Sequence, residues 1–426
     1  MLKVFKFTGY LLKNSAQVFV FRITGVIFAY LIMILITNYF GAEIYGRYTI
    51  SITLLQFAVL LFAFGIPTAI VKLTSNKVNF DMIPKNDYLK KALISVLISS
   101  VIGGVILFLL SSVLSNHIFN DENLQSYFEV LSYSIVFLVF HSFVMEFLRG
   151  REKFQSFAIG MYILPYLIFF FFLVIVIYFD LKESYLLLSY ILGLSLTGIL
   201  YARFLPFGKL QSSNTYNLRA LYKLSFPMLI TAAFIFLINW TDVFMLGAMV
   251  SKEELGIYNV AFKLATVALI VIHTVNTIIG PKIARYYSEN KIGEMENLIK
   301  QATRIITLLT FPVVVVLIVF RNFFLGIFGI EFVNGDQALI IISLGLLFNA
   351  LSGSVSQVLN MTKHQNELRN ITLIAALLNI IFNLILIPIY GIKGAALASL
   401  ISNVFLNVSG IIMVKHYLNF YTFFSL

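Results

Sequence analysis

Cysteine is absent from the 426 residues. Its absence excludes disulfides, thiolate metal sites and cysteine nucleophiles, and says little about compartment. Charge is scarce as well: Asp, Glu, Lys and Arg make up 12% of the chain, against 60% hydrophobic residues. No polar stretch is long enough to hold a soluble domain; the longest are 73–90, 204–224 and 281–301. No Gly-x-x-x-x-Gly-Lys-Ser/Thr loop occurs, which disfavours ATP hydrolysis. No paired Asp-x-Asp motif and no large outer loop are present, and both absences argue against a glycan polymerase or membrane glycosyltransferase, so no enzyme is expected. No His/Asp/Glu cluster has metal-ligand spacing, and neither metal nor cofactor is expected. A cleavable leader is not expected either, because the first apolar run is too long for one and no small-residue cleavage site follows it.

What the chain does contain is apolar length. Twelve stretches approach the roughly 20 residues a helix needs to cross a hydrocarbon core: 16–38, 48–72, 91–115, 124–147, 157–179, 185–203, 225–249, 255–280, 302–320, 337–361, 369–388 and 394–414. Lys and Arg then give the orientation. Of the 30 basic residues, 24 fall with the termini and alternate loops, and only Arg47, Lys182, Lys252, Arg321 and Lys393 fall on the other side. Lys263 lies too deep in a span to assign. The bias places both termini in the cytoplasm. The net charge of +11 is then mostly this orientation signal, with contact to anionic headgroups secondary, and it calls for no nucleic acid.

The expected organisation has four parts. Residues 1–15 read as an amphipathic interfacial helix, with Lys3, Lys6 and Lys13 opposite Val4, Phe5, Leu11 and Leu12; a frayed basic tail is the alternative. A six-helix bundle over 16–208, a cytoplasmic linker at 209–224 and a second six-helix bundle over 225–426 follow. The stretch 282–301 reads as a further interfacial helix. An internal echo supports two parallel halves: Glu43, Gly46 and Tyr48 mark the start of span two as Glu253, Gly256 and Tyr258 mark the start of span eight, at an offset of 210. The fold class is therefore all-α integral membrane, with a cavity between the halves.

These residues resemble the polysaccharide-exporter branch of the multidrug/oligosaccharidyl-lipid/polysaccharide flippase superfamily. The likeness runs through Phe40-Gly41-Ala42-Glu43-Ile44-Tyr45-Gly46-Arg47-Tyr48, Phe64-Gly65-Ile66-Pro67 with Lys72, and Leu148-Arg149-Gly150-Arg151-Glu152-Lys153-Phe154. It continues through Asn239-Trp240-Thr241-Asp242, then Leu255-Gly256-Ile257-Tyr258. It ends in Asn379-Ile380-Ile381-Phe382-Asn383 and Ile387-Pro388-Ile389-Tyr390-Gly391-Ile392-Lys393-Gly394-Ala395-Ala396. The resemblance implies a V-shaped pair of six-helix bundles in a bacterial inner membrane. It also implies flipping of an undecaprenyl-diphosphate-linked oligosaccharide, as for O-antigen, from the cytoplasmic to the outer leaflet, alongside glycosyltransferases and a glycan polymerase.

Charges inside a bilayer are costly and so are functional candidates. Asp242 in span seven and Lys263 in span eight are expected at one depth. They suit either a static ion pair or a pair that Lys263 leaves to meet a phosphate or sugar, with Asp242 also a candidate for a coupling proton or Na⁺. Arg22 suits diphosphate capture or snorkelling to the headgroups, and Arg304 suits the cavity mouth or a headgroup contact. Glu146 and Arg149 are three apart and can pair on one helical face, as a solvated helix end or a cytoplasmic gate. His141 and His273 read as packed imidazoles or proton relays. Asn379 and Asn383 share a face and read as helix glue or sugar contacts. Pro165 and Pro312 suit bending during gating or permanent kinks.

Three readings follow. A lipid-linked oligosaccharide flippase fits the cationic intramembrane residues best. A cation-coupled multidrug or metabolite exporter of the same superfamily is the alternative, and a scaffold without transport is the third.

Overall fold

The computed structural model describes residues 2–75, 85–205 and 218–424, without the side chains of 2–16 and a few others. The described residues fold into helices joined by short turns. The cause lies in the solvent: hydrocarbon offers no partner for a backbone N–H or C=O, and a helix satisfies both within itself. Among the described residues nine helices are long and apolar enough to cross a membrane, or eleven when each of two bent pairs counts as one crossing. Gln17–Phe62 is 46 residues long, about 69 Å at the helical rise, more than two hydrocarbon thicknesses. A non-helical Gly41 (φ 78°, ψ 177°) divides it. Counted as two crossings, it brings the total among the described residues to twelve.

The chain packs as two compact units. Unit 1 comprises Met1–Phe40 and Ile50–Trp240. It holds most of α1 (Leu2–Phe62), with α2 (Ile66–Ser75), α3 (Lys85–Val113), α4 (Asn123–Gly150), α5 (Phe154–Tyr162), α6 (Leu164–Tyr178), α7 (Ser184–Tyr201) and the first part of α8 (Leu218–Met249). α4 packs on α2, α3 and α7, and α6 packs on α7. Outward side chains such as Leu109 and Phe171 are 70% and 61% exposed, as lipid-facing residues must be.

Apolar contact between helices gains little over contact with lipid, so close approach and polar contacts must specify the bundle. The expected span 157–179 is broken at Ile163, and Pro165 occupies the first turn of α6, where its missing N–H costs nothing. Gly193 of α7 lies against the Pro165 carbonyl. The Phe64-Gly65-Ile66-Pro67 run forms the break between α1 and α2. Gly65 has a positive φ of 66°, and a Cβ there would strike the backbone of Ser225 and Leu229. Tyr222 bonds Ser95 and meets Phe64 edge-on at 5.9 Å. These contacts carry the first part of α8 into unit 1, so the packing groups the chain differently from a division at 209–224. Residues 209–217 of that expected linker lie outside the described residues. Replacing Gly65 with alanine is expected to destabilise the protein by about 1–3 kcal/mol, from strain at positive φ and overpacking. Thermal unfolding in detergent measures it, and an unchanged midpoint would remove this contact as a determinant of the break.

Unit 2 comprises Gly41–Thr49 and Thr241–Leu426. Its helices are the remainder of α8, then α9 (Lys252–Thr266), α10 (Leu269–Ser288), α11 (Ile292–Val319), α12 (Arg321–Gly326), α13 (Asp336–Ser352), α14 (Val355–Met361), α15 (Gln365–Tyr390) and α16 (Ile392–Leu418). α9 and α10 are a bent pair at 42°, so the expected span 255–280 is bent. The expected span 337–361 stops at Ser352: Gly353 turns the chain (φ 78°), and Thr422 and Phe424 donate to the carbonyls of Ser352 and Leu351. The expected interfacial helix at 282–301 is instead the end of α10, a turn, and the start of α11. Its apolar residues Ile283, Met295 and Ile299 are buried against α14 and α16, which explains their spacing. In the turn, hydrogen bonds from Arg285 and Lys291 hold the Glu289 carboxyl below its usual range.

Segment 41–49 joins unit 2 through the internal echo itself. A Cβ on Gly46 would strike the carbonyl of Lys252, and one on Gly256 would strike that of Ala42. The contact is reciprocal, each glycine facing the residue four before the other. Tyr45 donates to Asn259 Oδ1 at 2.9 Å, and Glu331 accepts from the Ala42 amide that opens the second part of α1, at 2.5 Å.

Candidate functional site

Unit 2 builds a polar cluster around Asp242 from four helices. Ser251 caps α9, its hydroxyl accepting from the Glu254 amide at 3.1 Å. Lys252 Nζ donates to the Gly247 carbonyl at 2.7 Å, closing the end of α8. Asp242 lies nine residues before that cap and Tyr258 seven after it, so the antiparallel pair sets them nearly level. The α15–α16 hairpin does the same. Gly391, in the left-handed region at φ 56°, turns the chain, and Asn383 and Ser399 stand eight residues to either side, each about 12 Å from the turn.

The carboxylate of Asp242 then gathers three donors. Tyr258 donates to Oδ2 at 2.9 Å and Asn383 Nδ2 to Oδ1 at 2.8 Å. The Ser399 hydroxyl makes a short bond to Oδ2. Asn379 extends the network: its Oδ1 accepts from Asn383 at 3.0 Å, and its Nδ2 donates to Ser399 at 3.3 Å. Asn383 is fully buried, and its Oδ1 has no donor among the described residues. A carboxylate beside an orphaned amide oxygen and two hydroxyls is the donor set of a small cation, and hydrogen bonds to charged groups are worth about 1.5–3 kcal/mol each.

The sequence pairs Asp242 with Lys263, and from α9 it is Tyr258 that donates to the carboxylate. Lys263, five residues further along, is half-buried. Asn379 and Asn383 share a face, as their spacing indicates, and that face meets Asp242. Tyr258 and Ser399 are not recognisable from sequence as site residues: Tyr258 stands in the repeat and in the family resemblance without an assigned role, and no local signal marks Ser399. Arg304 in unit 2 and Arg22 in unit 1 are exposed. Pro312 sits inside α11 and is exposed.

In unit 1, Arg149 Nη2 lies 2.6 Å from Glu146 Oε2. His141 is 4% exposed with Nε2 3.1 Å from the Gly160 carbonyl, a packed, hydrogen-bonded imidazole. His273 is exposed. Among the described residues no group of three His, Cys, Asp or Glu is placed to hold a metal.

Comparison with known proteins bears on what this site serves. A family model described as polysaccharide biosynthesis protein matches residues 11–287, and a MatE model matches 227–385. The probable low-salt glycan biosynthesis flippase Agl15 of Haloferax volcanii is 26% identical over 194 residues, 45% of this chain and 41% of that protein. The capsular polysaccharide biosynthesis protein CapF of Staphylococcus aureus is 25% identical over 192 residues, 45% of this chain and 48% of that one. The matches thus span less than half the length of these curated relatives. Among solved structures, the lipid II flippase MurJ in an inward closed conformation aligns with TM-score 0.77 and 17% identity, covering 95% of this chain and 87% of MurJ. An inward-facing multidrug resistance MATE transporter aligns with TM-score 0.75 and 14% identity, covering 92% and 94%. At these identities the likeness establishes a shared fold.

Proposed function

Since the chain belongs to the polysaccharide biosynthesis protein family, we propose that it is a transporter and not an enzyme. Its substrate is a polyprenyl-diphosphate-linked oligosaccharide, which it moves from the cytoplasmic to the outer leaflet of a bacterial inner membrane by alternating access. The observation that carries this reading is the family match over 11–287 on an array of membrane-crossing helices. A diphosphate needs cationic partners in transit, and we assign that role to Arg22, Lys263 and Arg304. Membrane lipid houses the polyprenyl tail. Asp242, with Asn383, Ser399 and Tyr258, binds the H⁺ or Na⁺ whose gradient gives the cycle direction. Glycosyltransferases supply the substrate and a glycan polymerase consumes it. Glu146, Arg149, Pro165 and Pro312 serve opening and closing. The MatE match over 227–385 supports a second reading, a cation-coupled exporter of drugs or metabolites.

Proteoliposomes loaded with a fluorescent polyprenyl-diphosphate glycan separate the two. The flippase reading expects the glycan to become accessible to an enzyme added on the far side, with no gradient-driven ethidium efflux; ethidium efflux without glycan movement would overturn it. Arg22→Ala and Lys263→Ala are each expected to cut glycan movement at least about tenfold, the equivalent of one lost charge-assisted contact, while the protein still inserts. Wild-type rates in both would refute their assignment. The lack of native cysteine makes topology direct to test: Arg219→Cys should react from the cytoplasmic side and Lys182→Cys from the outside, and the reverse pattern would invert the proposed direction.

A further inference from the structure

Unit 1 contains a partly open cavity of about 420 Å³, within the size range of small-molecule sites. It lies where the helices of this unit are interrupted: Gly65 and Pro67 from the α1–α2 break line it, as does Pro165 from the α5–α6 break. Broken helices at membrane depth persist only where protein or a polar cavity takes up the freed backbone groups. Seven polar side chains line the space: Gln56, Thr68, His141, Ser142, Glu146, Tyr166 and Tyr190. Gln56 hydrogen-bonds Tyr190, and Phe169 braces the Tyr190 ring edge-on at 5.7 Å. The Tyr190 ring is thus held in place before any ligand arrives.

Charge narrows the ligand class. Among the described residues the one carboxylate in the lining, Glu146, is matched by Arg149 at 2.6 Å. That ion pair carries no net charge, so it recruits neither an organic cation nor a free anion. The lining therefore selects a neutral ligand that is polar at many points and apolar between them. A sugar ring has that pattern: its C–H face suits tyrosine rings, and its hydroxyls suit an amide, a serine and a carboxylate oxygen. The geometry points to a carbohydrate subsite in unit 1, where a neutral sugar unit lies on Tyr166 and Tyr190 with its hydroxyls bonded to Gln56, Ser142 and Glu146. The glycan as the source of that sugar rests on the flippase reading; the subsite does not.

The test uses the full chain in lipid nanodiscs and saturation-transfer NMR with free neutral hexoses, N-acetylhexosamines and disaccharides, beside tetraphenylphosphonium and glucose 1-phosphate. Saturable transfer to at least one neutral sugar is expected, weakened at least tenfold in Gln56→Ala and lost in Ala232→Trp, which fills the cavity from a half-exposed lining position. Unfolding midpoints establish that the variants remain folded, and the two substitutions differ in kind, so misfolding of one leaves the other decisive. No binding by any neutral sugar, binding indifferent to both substitutions, or displacement of the sugar by tetraphenylphosphonium would each overturn the subsite. Glycan movement in proteoliposomes is a separate readout. Sugar binding without glycan movement removes the flippase reading and leaves the subsite standing; glycan movement without sugar binding does the opposite.

Discussion

Asp242→Asn is expected to leave the protein folded and to remove the response of transport to an imposed Na⁺ or pH gradient, slowing gradient-driven transport at least about tenfold. That figure corresponds to losing one charged contact of about 1.5–3 kcal/mol in the bound-cation state. Asparagine keeps an oxygen for the Asn383 amide, and the hydroxyls of Tyr258 and Ser399 can rotate to accept from its nitrogen. Asp242→Ala is the structural control. It leaves buried donors on Tyr258 and Asn383 without an acceptor, each costing about 1–3 kcal/mol, so it should lower the unfolding midpoint as well as transport. The pair of variants separates coupling from helix locking. If Asp242→Asn transports with the same gradient dependence as the parent, the carboxylate only ties α8, α9, α15 and α16 together, and the coupling role falls.

The second large effect is expected at the glycine crossing. Gly46→Ala and Gly256→Ala each place a methyl group on a backbone carbonyl, of Lys252 and Ala42 respectively. Backbone in a helix cannot move aside as a flexible side chain does, so the two segments must separate. Each substitution should destabilise unit 2 by about 1–3 kcal/mol or more. The double variant should cost less than the sum of the singles, because segments already forced apart have room for the second methyl group. Chemical denaturation of the three variants in detergent, followed by circular dichroism, reads the coupling. Strict additivity would show that the glycines act independently, contrary to the reciprocal geometry. Separation of the segments also threatens the Tyr45–Asn259 and Ala42–Glu331 bonds, so Tyr45→Phe measures how much of the loss is polar.

Much of this was legible residue by residue. Asp242 stood out because a carboxylate in an apolar stretch demands a reason, and the structure supplies three donors for it. Glu146 and Arg149 are one helical turn apart, and they pair at 2.6 Å. Asn379 and Asn383 share a face by spacing alone, but spacing does not say what that face meets. Pro165 was recognisable as a bend, and the cavity it lines was not, since a void forms where interruptions in distant segments coincide. The stretch 282–301 misled for a related reason: amphipathic spacing looks the same whether the apolar side meets lipid headgroups or the core of unit 2.

The bilayer explains where the line falls. Its thickness dictates how many apolar residues a crossing needs, and the surface charge of its inner leaflet biases lysine and arginine to one side. Both constraints act along the membrane normal, one span at a time, so a linear string of residues records them in full. Rotation of each helix about its axis, and the choice of neighbour, are governed by close approach of backbones and by hydrogen bonds between helices. Those depend on residues far apart in the chain, such as Gly46 with Lys252 or Asp242 with Ser399. Depth was therefore written in one dimension, while the partners of Asp242 and the walls of the sugar-sized cavity existed only once the helices had packed.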